Sequence, residues 1–268
     1  MGSRLSDAVG AAGRLARATL EYLGGMWYLF QDAAYWATGG VLKGYKFGRR
    51  AAFEQMVRAG VKSIPITFLV LFFVGMILAF QMARVLAVFG LMDRTADIVG
   101  IAIMRELGPL LTAIVMAGYV GAAIAAELGT MVVSEEIIAL ETSAIDPVRF
   151  LVVPRLFASM VMLPCLTVLG NLVGLFGGFI IGTGVLGISA PLYIRRTCEA
   201  VKVEDVVTGL IKIEAFAIMI VLIACYEGLS VSGGAEGVGR ATTKAVVLSI
   251  VFTIVADLFF TTAFYFIL

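Results

Sequence analysis

Four of the ionisable residues inside the long apolar stretches of this chain are its strongest candidates for chemistry. Arg105 and Glu106 open a run that stays uncharged as far as Ala126, and Lys212 and Asp257 lie in two later apolar stretches. A charge in hydrocarbon is costly, so such residues face protein or a wet cavity. We expect the four side chains to line or gate a cavity. The alternative is that they only pair and lock helices together.

The composition places the chain among integral membrane proteins. Hydrophobic residues make up 61% and charged residues 15% of the sequence, and the mean hydropathy is +1.03, far from the balance of soluble domains. A net charge of +1 without a dense basic tract gives no indication of nucleic-acid binding. The sequence has no His and three scattered Cys. It therefore predicts neither a metal site nor a disulfide framework.

Five apolar segments are long enough to cross a bilayer as helices. The predicted spans cover about residues 64–88, 96–128, 154–186, 206–227 and 245–268. The third apolar stretch continues to Ile194 and is too long for one span. Its glycines near residue 185 predict that a bent re-entrant or interfacial piece follows the helix.

The segment before the first span differs from the spans. Residues 1–60 mix charges with apolar and aromatic positions, which predicts an interfacial amphipathic helical region, while residues 61–268 form the membrane domain. Lys and Arg cluster between Lys43 and Lys62, which favours a cytoplasmic N-terminus. Five spans then place the C-terminus outside and the loop at 127–155 in the cytoplasm.

That cytoplasmic loop contains a predicted short helix with an acidic start. A serine is the expected N-cap, acids occupy the first turn where the helix dipole favours them, and apolar residues give one side for packing. The simplest interpretation is a surface helix, and the functional alternative is a docking helix for a cytosolic partner. The residues assigned to docking are Ser134, Glu135, Glu136, Ile137, Leu140 and Glu141.

Small residues predict close helix packing on two spans. Gly118 and Gly121 lie in the second span, and Gly170, Gly174 and Gly178 repeat at every fourth position of the third span. That spacing puts the three glycines on one helix face, where backbones can approach closely. The contact is either inside one subunit or at the seam of a dimer.

Two glycine-rich matches do not predict a nucleotide site. Residues 182–187 fit GxGxxG but lack a strand–turn–helix context, and residues 234–241 resemble a P-loop without its Lys and Ser/Thr. We therefore expect that this chain binds no cofactor and is not an enzyme. If its activity is driven by ATP, the ATPase is a separate polypeptide.

Three segments together resemble the MlaE/YrbE family of permeases, the membrane subunits of lipid-transporting ABC systems that work with MCE-domain proteins. The segments are RELGPLLTAIVMAGYVGAAIAAELGTM, SEEIIALETSAIDPVRFLVVPR and ACYEGLSVSGGAEGVGRATTKAVV. The resemblance begins near residue 55 and reaches the end of the chain. One departure is Tyr119, at a position where the family usually has Arg.

The resemblance implies an all-α integral membrane fold with an N-terminal interfacial helix, five transmembrane helices and a cytoplasmic coupling helix, in the bacterial inner membrane. It implies a homodimer, a cytosolic ABC ATPase dimer that binds the ATP, an MCE-domain protein on the outer side and phospholipid as cargo. Arg105, Glu106, Lys212 and Asp257 match residue types linked in the family to the lipid cavity or its gating.

The function expected from the resemblance is a permease subunit that moves phospholipid or a related lipid between the inner membrane and the MCE partner. Two alternatives remain open. One is an ion-coupled secondary transporter that uses Glu106 and Asp257, and the other is a membrane scaffold without a transport path.

Overall fold

The computed structural model describes the backbone of residues 2–40 and 49–267. All regular secondary structure in these two ranges is helical, which confirms the all-α fold predicted from the sequence. Residues 41–48 of the predicted interfacial region lie outside the described ranges. The helices are α1 (Gly2–Tyr35), α2 (Arg49–Ala59), α3 (Ile64–Val88), α4 (Met92–Val133), α5 (Glu136–Thr142), α6 (Val148–Gly184), α7 (Ala190–Ala200), α8 (Val203–Leu229) and α9 (Gly234–Ile267).

Five helical segments are long and apolar enough to cross a membrane, namely α2 with α3, then α4, α6, α8 and α9. Helix α3 alone has the bounds predicted for the first span, but its apolar segment also includes α2, so all five membrane-length segments are longer than predicted. The fifth begins at Gly234 rather than near residue 245. The first turns of this helix carry charged residues, so the apolar pattern of the sequence predicts only the later part, which is long enough to cross the hydrocarbon core. The domain division at residue 60 stays a prediction.

The chain reverses direction after α6, as the glycines near residue 185 predict. Helix α6 ends at Gly184, and Gly187 adopts φ 71°, a left-handed conformation that favours glycine. Helix α7 then folds back on α6, with the ring of Tyr193 buried against Gly182. A Cβ at position 182 would overlap that ring, so the close approach requires glycine.

Glycines make the contact between α3 and α6, the most extensive helix pair in the described chain. Gly174 lies against the backbone of α3, and a Cβ on Gly75 would overlap the carbonyl oxygen of Gly174. Gly170 packs against Leu71, and Gly178 packs against Val99 of α4. The glycine face of the third span therefore lies inside the protomer. It does not point outward toward a second copy.

The two glycines of the second span behave differently from each other. Gly121 is buried, and a Cβ there would lie 3.4 Å from Ile220, an ordinary van der Waals contact. Gly118 is exposed, and no heavy atom of the described residues lies within 4 Å of where its Cβ would be. Within the described part of the protomer Gly118 therefore makes no close helix contact, and the packing role predicted for it stays a prediction.

Helix α8 is the most enclosed span, and α9 is the most exposed one. Helix α8 packs against α4, α6 and α9, with Phe216, Ile220 and Ile223 fully buried among them. In contrast, one side of α9 presents Val255, Leu258 and other large apolar residues outward. The centre of the protomer is thus built around α8, and apolar surface remains on α9 for lipid or another chain.

Helix α1 packs at one end of the spans. The rings of Tyr22 and Tyr226 meet edge to face at 5.0 Å between centroids, and the Arg149 guanidinium lies 5.3 Å from the Trp36 ring centre. We call this the α1 end; it also holds α5 and the turn at residues 230–233. The other end, which we call the α7 end, holds the turn at residues 89–91 and α7.

The loop helix forms, but Ser134 is not its N-cap. Ser134 instead ends α4, its amide bonding to the carbonyl of Thr130. The residue before α5 is Glu135, which has φ 61° and makes no side-chain capping bond. The expected cap is wrong because the preceding helix continues to Val133, so the serine closes one helix instead of opening the next.

Candidate functional site

A π-helical turn in α4 positions two of the predicted site residues. The turn spans Ile103–Leu107, and the amide of Gly108 closes it on the carbonyl of Ile103. Pro109 follows and has no amide hydrogen to donate, so the usual bonding pattern cannot continue through this point. Such turns inside α-helices recur at functional sites. Here the turn carries Arg105 and Glu106.

Lys212 of α8 is the centre of a buried cluster that joins three spans. Its Nζ donates hydrogen bonds to Glu106 Oε2 of α4 at 2.5 Å, and to Asp257 Oδ1 and Thr261 Oγ1 of α9 at 3.0 Å and 2.7 Å. Thr261 in turn donates to Glu106 Oε1 at 3.0 Å. The tertiary structure therefore brings together three of the four predicted ionisable residues. We call Lys212, Glu106, Asp257 and Thr261 together the Lys212 cluster.

All three N–H groups of the Lys212 ammonium have a hydrogen-bond acceptor within the cluster. The Lys212 side chain is 1% exposed, and an ammonium has three protons to donate, each of which has an acceptor here. Breaking such a pair by removing one partner costs about 3–5 kcal/mol because a charge stays buried alone. The cluster therefore fastens α4, α8 and α9 to one another at this depth.

Arg105 is not part of the cluster. Its Nε lies 3.8 Å from Asp205 Oδ1 in the first turn of α8, about two turns away from Lys212. The side chain of Arg105 is 39% exposed, whereas Lys212 is enclosed. The sequence grouped these two cations at one rim, but the structure separates them. Arg105 is the one of the two that a molecule from outside could reach.

Asp205 is a site residue that the sequence analysis missed. It is 7% exposed and its carboxylate also accepts a hydrogen bond from the amide of Lys202 at 3.0 Å, which caps α8. Its position at a predicted helix start was a signal for capping. Nothing local to the sequence indicated that the same carboxylate would face Arg105.

A polar stripe on α9 continues from the cluster toward the α1 end. Ser249, Thr253 and Asp257 repeat at every fourth residue and are 1%, 0% and 8% exposed. The hydroxyl oxygens of Ser249 and Thr253 have no hydrogen-bond partner among the described residues. The stripe faces α4 and α8, so the carboxylate of Asp257 is kept away from lipid.

A second group of charges lies at the α1 end, and the sequence analysis did not identify it. Glu127 of α4 pairs with Arg58 at 2.8 Å and with Arg155 at 3.2 Å. The only sequence signal was that Glu127 ends an apolar run. These residues line a cavity of about 280 Å³ between α2, α4 and α6, which Tyr119 also lines. Tyr119, where an Arg was expected, therefore belongs to this cavity and not to the Lys212 cluster.

The predicted docking residues form a mixed surface on α5 at the α1 end. Ile137 and Leu140 are half-buried and pack against the main hydrophobic core. The acids at positions 135, 136 and 141 are exposed, and Ser134 Oγ donates to Glu136 Oε1 at 3.0 Å. Ile138 is 56% exposed beside them. The helix thus has an inner face that ties it to the spans and an outer face without a described partner helix.

Five membrane-length helices with charges buried between them are typical of a multi-pass membrane protein with a polar site, and not of a simple anchor. The family model described as Permease MlaE matches residues 52–263, so the chain belongs to the MlaE permease family and is the permease subunit of an ABC transporter. The match includes every residue of the Lys212 cluster and of the cavity at the α1 end.

Three relatives support this assignment. A probable ABC transporter permease protein of Rickettsia typhi is 38% identical over 204 residues, covering 76% of this chain and 79% of its own. A probable ABC transporter permease protein of Synechocystis sp. is 38% identical over 238 residues, covering 87% and 90%. The intermembrane phospholipid transport system permease protein MlaE of Haemophilus influenzae is 34% identical over 195 residues, covering 72% and 75%.

Proposed function

We propose that this chain is one half of a homodimeric permease that moves phospholipid or a related lipid between the bacterial inner membrane and an MCE-domain protein. A cytosolic ABC ATPase dimer binds the ATP and drives the cycle, and this chain itself makes and breaks no covalent bond. The observation that carries the proposal is the Lys212 cluster, in which a buried ammonium ties three spans together.

The path of α4 supports a mechanical link between ATPase and lipid. Helix α4 runs continuously from the cluster to Val133, just before α5. From Glu106 to Val133 this is about 40 Å of helix. A displacement of α5 by the ATPase would therefore move Glu106 relative to Lys212, because helices transmit force along their axis. Opening and closing of the cluster is the proposed gate.

Exposure assigns different roles to the two predicted cations. Lys212 has no free proton to offer a lipid, since all three are donated within the protomer. Arg105 keeps 39% of its side chain exposed, so it is the proposed contact for a phosphate head group. Glu106 and Asp257 hold Lys212 and set the closed state of the gate.

The α1 end is proposed as the cytoplasmic side, which gives a cytoplasmic N-terminus and an outer C-terminus. Among the described residues, three cations that precede α3, namely Arg50, Arg58 and Lys62, lie at this end, in accord with the positive-inside rule. The outer face of α5, with its acids and Ile138, is the proposed docking surface for the ATPase. The α7 end then faces the MCE-domain protein.

A second candidate is an ion-coupled transporter, and one observation favours it. Two carboxylates, Glu106 and Asp257, share a single ammonium inside the spans, and such groups form proton relays in pumps and transporters. A scaffold without transport remains the third alternative. These candidates differ in their energy source, so one assay separates them.

The test is reconstitution of the permease with its ATPase in liposomes that contain a fluorescent phospholipid, with purified MCE protein as acceptor. We expect lipid transfer that requires ATP and is unchanged when a protonophore collapses the pH gradient. Transfer that follows the gradient without ATP would establish the ion-coupled alternative. If neither ATP nor a pH gradient drives lipid transfer by a complex that hydrolyses ATP, the scaffold alternative is the one supported.

A further inference from the structure

The cavity at the α1 end is lined by more cations than its acids can neutralise. Arg58, Lys62 and Arg155 line it together with one carboxylate, that of Glu127. Glu127 already pairs with both arginines. Lys62 is exposed and makes no ion pair with any described residue. The cavity therefore has an excess of positive charge and attracts an anion.

Two buried polar atoms in the cavity wall lack partners. Arg155 is 4% exposed, and its Nε has no hydrogen-bond partner among the described residues, although its two terminal nitrogens are used. Ser159, one turn further along α6, is 1% exposed and its hydroxyl is also unpartnered. A buried donor without an acceptor destabilises the folded protein, because it has lost its hydrogen bonds to water and gained none in return. Both donors fit an acceptor that enters the cavity, such as a phosphate oxygen.

The apolar surroundings indicate that the anion carries hydrocarbon. The remaining wall of the cavity is mostly aliphatic, with Val120 and Ile124 of α4 among its residues. Next to the cavity, on the surface of the protein, Arg58 and Lys62 also line a groove. Phe53 and Val57, which are 66% and 49% exposed, line the same groove. A head group at the cations therefore leaves acyl chains beside exposed apolar residues of the first span.

We propose that this cavity binds the phosphate head group of an anionic phospholipid at the α1 end, in the opposite leaflet from Arg105. The site is separate from the Lys212 cluster, which lies deeper in the spans and involves α8 and α9. The proposal concerns binding at equilibrium. It does not depend on transport, on the ATPase or on the MCE protein.

The test measures phospholipid bound to the purified full-length protein by native mass spectrometry across a titration with phosphatidylglycerol. Lys62→Gln removes the cation that has no ion pair among the described residues, and Ser159→Ala removes a hydroxyl that has no hydrogen-bond partner among them. We expect Lys62→Gln to weaken binding roughly tenfold and Ser159→Ala about threefold, as loss of hydrogen bonds to a charged group predicts. Arg240→Gln, an exposed cation at the same end, is the matched control and should change binding less than about twofold.

Location is read separately with a phosphatidylglycerol that carries a photoreactive group near its head. Adducts should fall on peptides that contain Lys62, Tyr119 or Ser159, and their yield should drop in Lys62→Gln. Diacylglycerol with the same chains lacks the phosphate and should give no adduct that depends on Lys62. Because folded protein is required for any adduct, circular dichroism of each variant accompanies the measurement.

Three outcomes overturn the proposal. Equal binding and equal adduct yield in wild type, Lys62→Gln and Ser159→Ala would show that the cavity does not hold the head group. Displacement of the lipid by millimolar inorganic phosphate would assign the site to free phosphate. Loss of ATPase binding in Lys62→Gln, with unchanged lipid binding, would assign the cations to an acidic segment of a partner protein.

Discussion

Lys212 of α8 donates a hydrogen bond to Asp257 of α9, with 3.0 Å between Nζ and Oδ1, in a part of the protein where both side chains are almost fully enclosed. The same ammonium bonds to Glu106 of α4. One buried cation is therefore shared by two carboxylates on different spans. Its bonds have to be broken or rearranged if those spans separate.

Asp257→Asn tests whether the charge of this carboxylate is used. The amide keeps the shape and can still accept one hydrogen bond from Lys212, but it no longer balances the ammonium. We expect lipid transfer to fall about tenfold or more, a change of about 1.4 kcal/mol in the barrier, while the dimer and its ATPase still assemble. Transfer is measured in liposomes and assembly by size-exclusion chromatography.

The matched control for that variant is Glu214→Gln, the same change of carboxylate to amide on α8. Glu214 is half-buried and makes no ion pair with a described residue, so transfer should stay near the wild-type value. Full transfer in Asp257→Asn would mean that the charge is unnecessary. It would also remove the proton-coupled alternative that relies on this residue.

Lys212→Met tests the cluster as a fastening between spans. The variant fills the same volume but leaves the carboxylates of Glu106 and Asp257 facing each other without a cation. We expect the free energy of unfolding to fall by about 3–5 kcal/mol, because a buried pair loses its partner. Adding Asp257→Asn should recover part of that loss. Thermal unfolding of the two single variants and the double variant in detergent measures the coupling energy between Lys212 and Asp257. Losses of stability that simply add in the double variant would contradict the fastening role.

Gly75→Ala tests the close approach of α3 and α6. The new methyl group would overlap the carbonyl oxygen of Gly174, and a backbone atom cannot move aside cheaply. We expect destabilisation of about 1–3 kcal/mol, typical of overpacking, and a lower yield of folded protein. Gly118→Ala is the control, since no atom of the described chain lies within 4 Å of its Cβ position. Similar melting temperatures for the two variants would mean that α3 and α6 are not in this contact.

Charge reversal on α5 tests the docking surface. Glu136→Lys and Glu141→Lys change two exposed acids on the outer face of the loop helix. We expect each to reduce co-purification of the ATPase severalfold while the permease dimer persists, because repulsion across an interface costs binding energy. Glu199→Lys on α7, 56% exposed at the opposite end, should leave ATPase binding intact. A pull-down that is unchanged in both α5 variants would exclude this docking role.

Asp32 of α1 links the attachment of that helix to pH. Burial is the main cause that raises the pKa of this carboxyl, and the nearby charge of Asp146 raises it further. A raised pKa in the folded protein means that the protonated form is favoured there, so attachment of α1 is stronger below this pKa and weakens as the pH rises through it.

Asp32→Asn should therefore protect α1 from proteolysis at neutral pH and match the wild type at low pH. Limited proteolysis across pH 4–8 with a readout at α1 measures this. Weaker protection of the variant at neutral pH would contradict the assignment, since it would mean that the ionised carboxylate stabilises the attachment.

The sequence by itself located the apolar centre of each span and the residues worth testing, although all five helical segments are longer than predicted. Hydrocarbon thickness sets the length of an apolar helix, so the run after Glu106 and the 64–88 segment could be located directly. Lys212 and Asp257 could also be singled out, because a charged side chain within an apolar helix is costly to place in lipid. The every-fourth spacing from Gly170 to Gly178 likewise predicted a packing face.

Tertiary structure alone decided which of those residues meet. Lys212 joins Glu106 and Asp257, but Arg105, next to Glu106 in the chain, turns to Asp205. The pairing depends on the rotation and relative depth of helices that are far apart in sequence, and local pattern does not encode either quantity. The same limit applies to Gly118, which has the residue type of a packing glycine but meets no side chain or backbone among the residues described within one protomer.

The cavity at the α1 end shows the limit most clearly. Arg58 and Glu127 are 69 positions apart, and neither stood out from ordinary charges at the end of an apolar run. Only when α2, α4 and α6 pack together do their charges enclose a volume with unpaired donors. The sequence shows which charges would be costly to place in the membrane, because it gives their position within an apolar helix. The packing of the helices determines which protein group or ligand compensates for that cost.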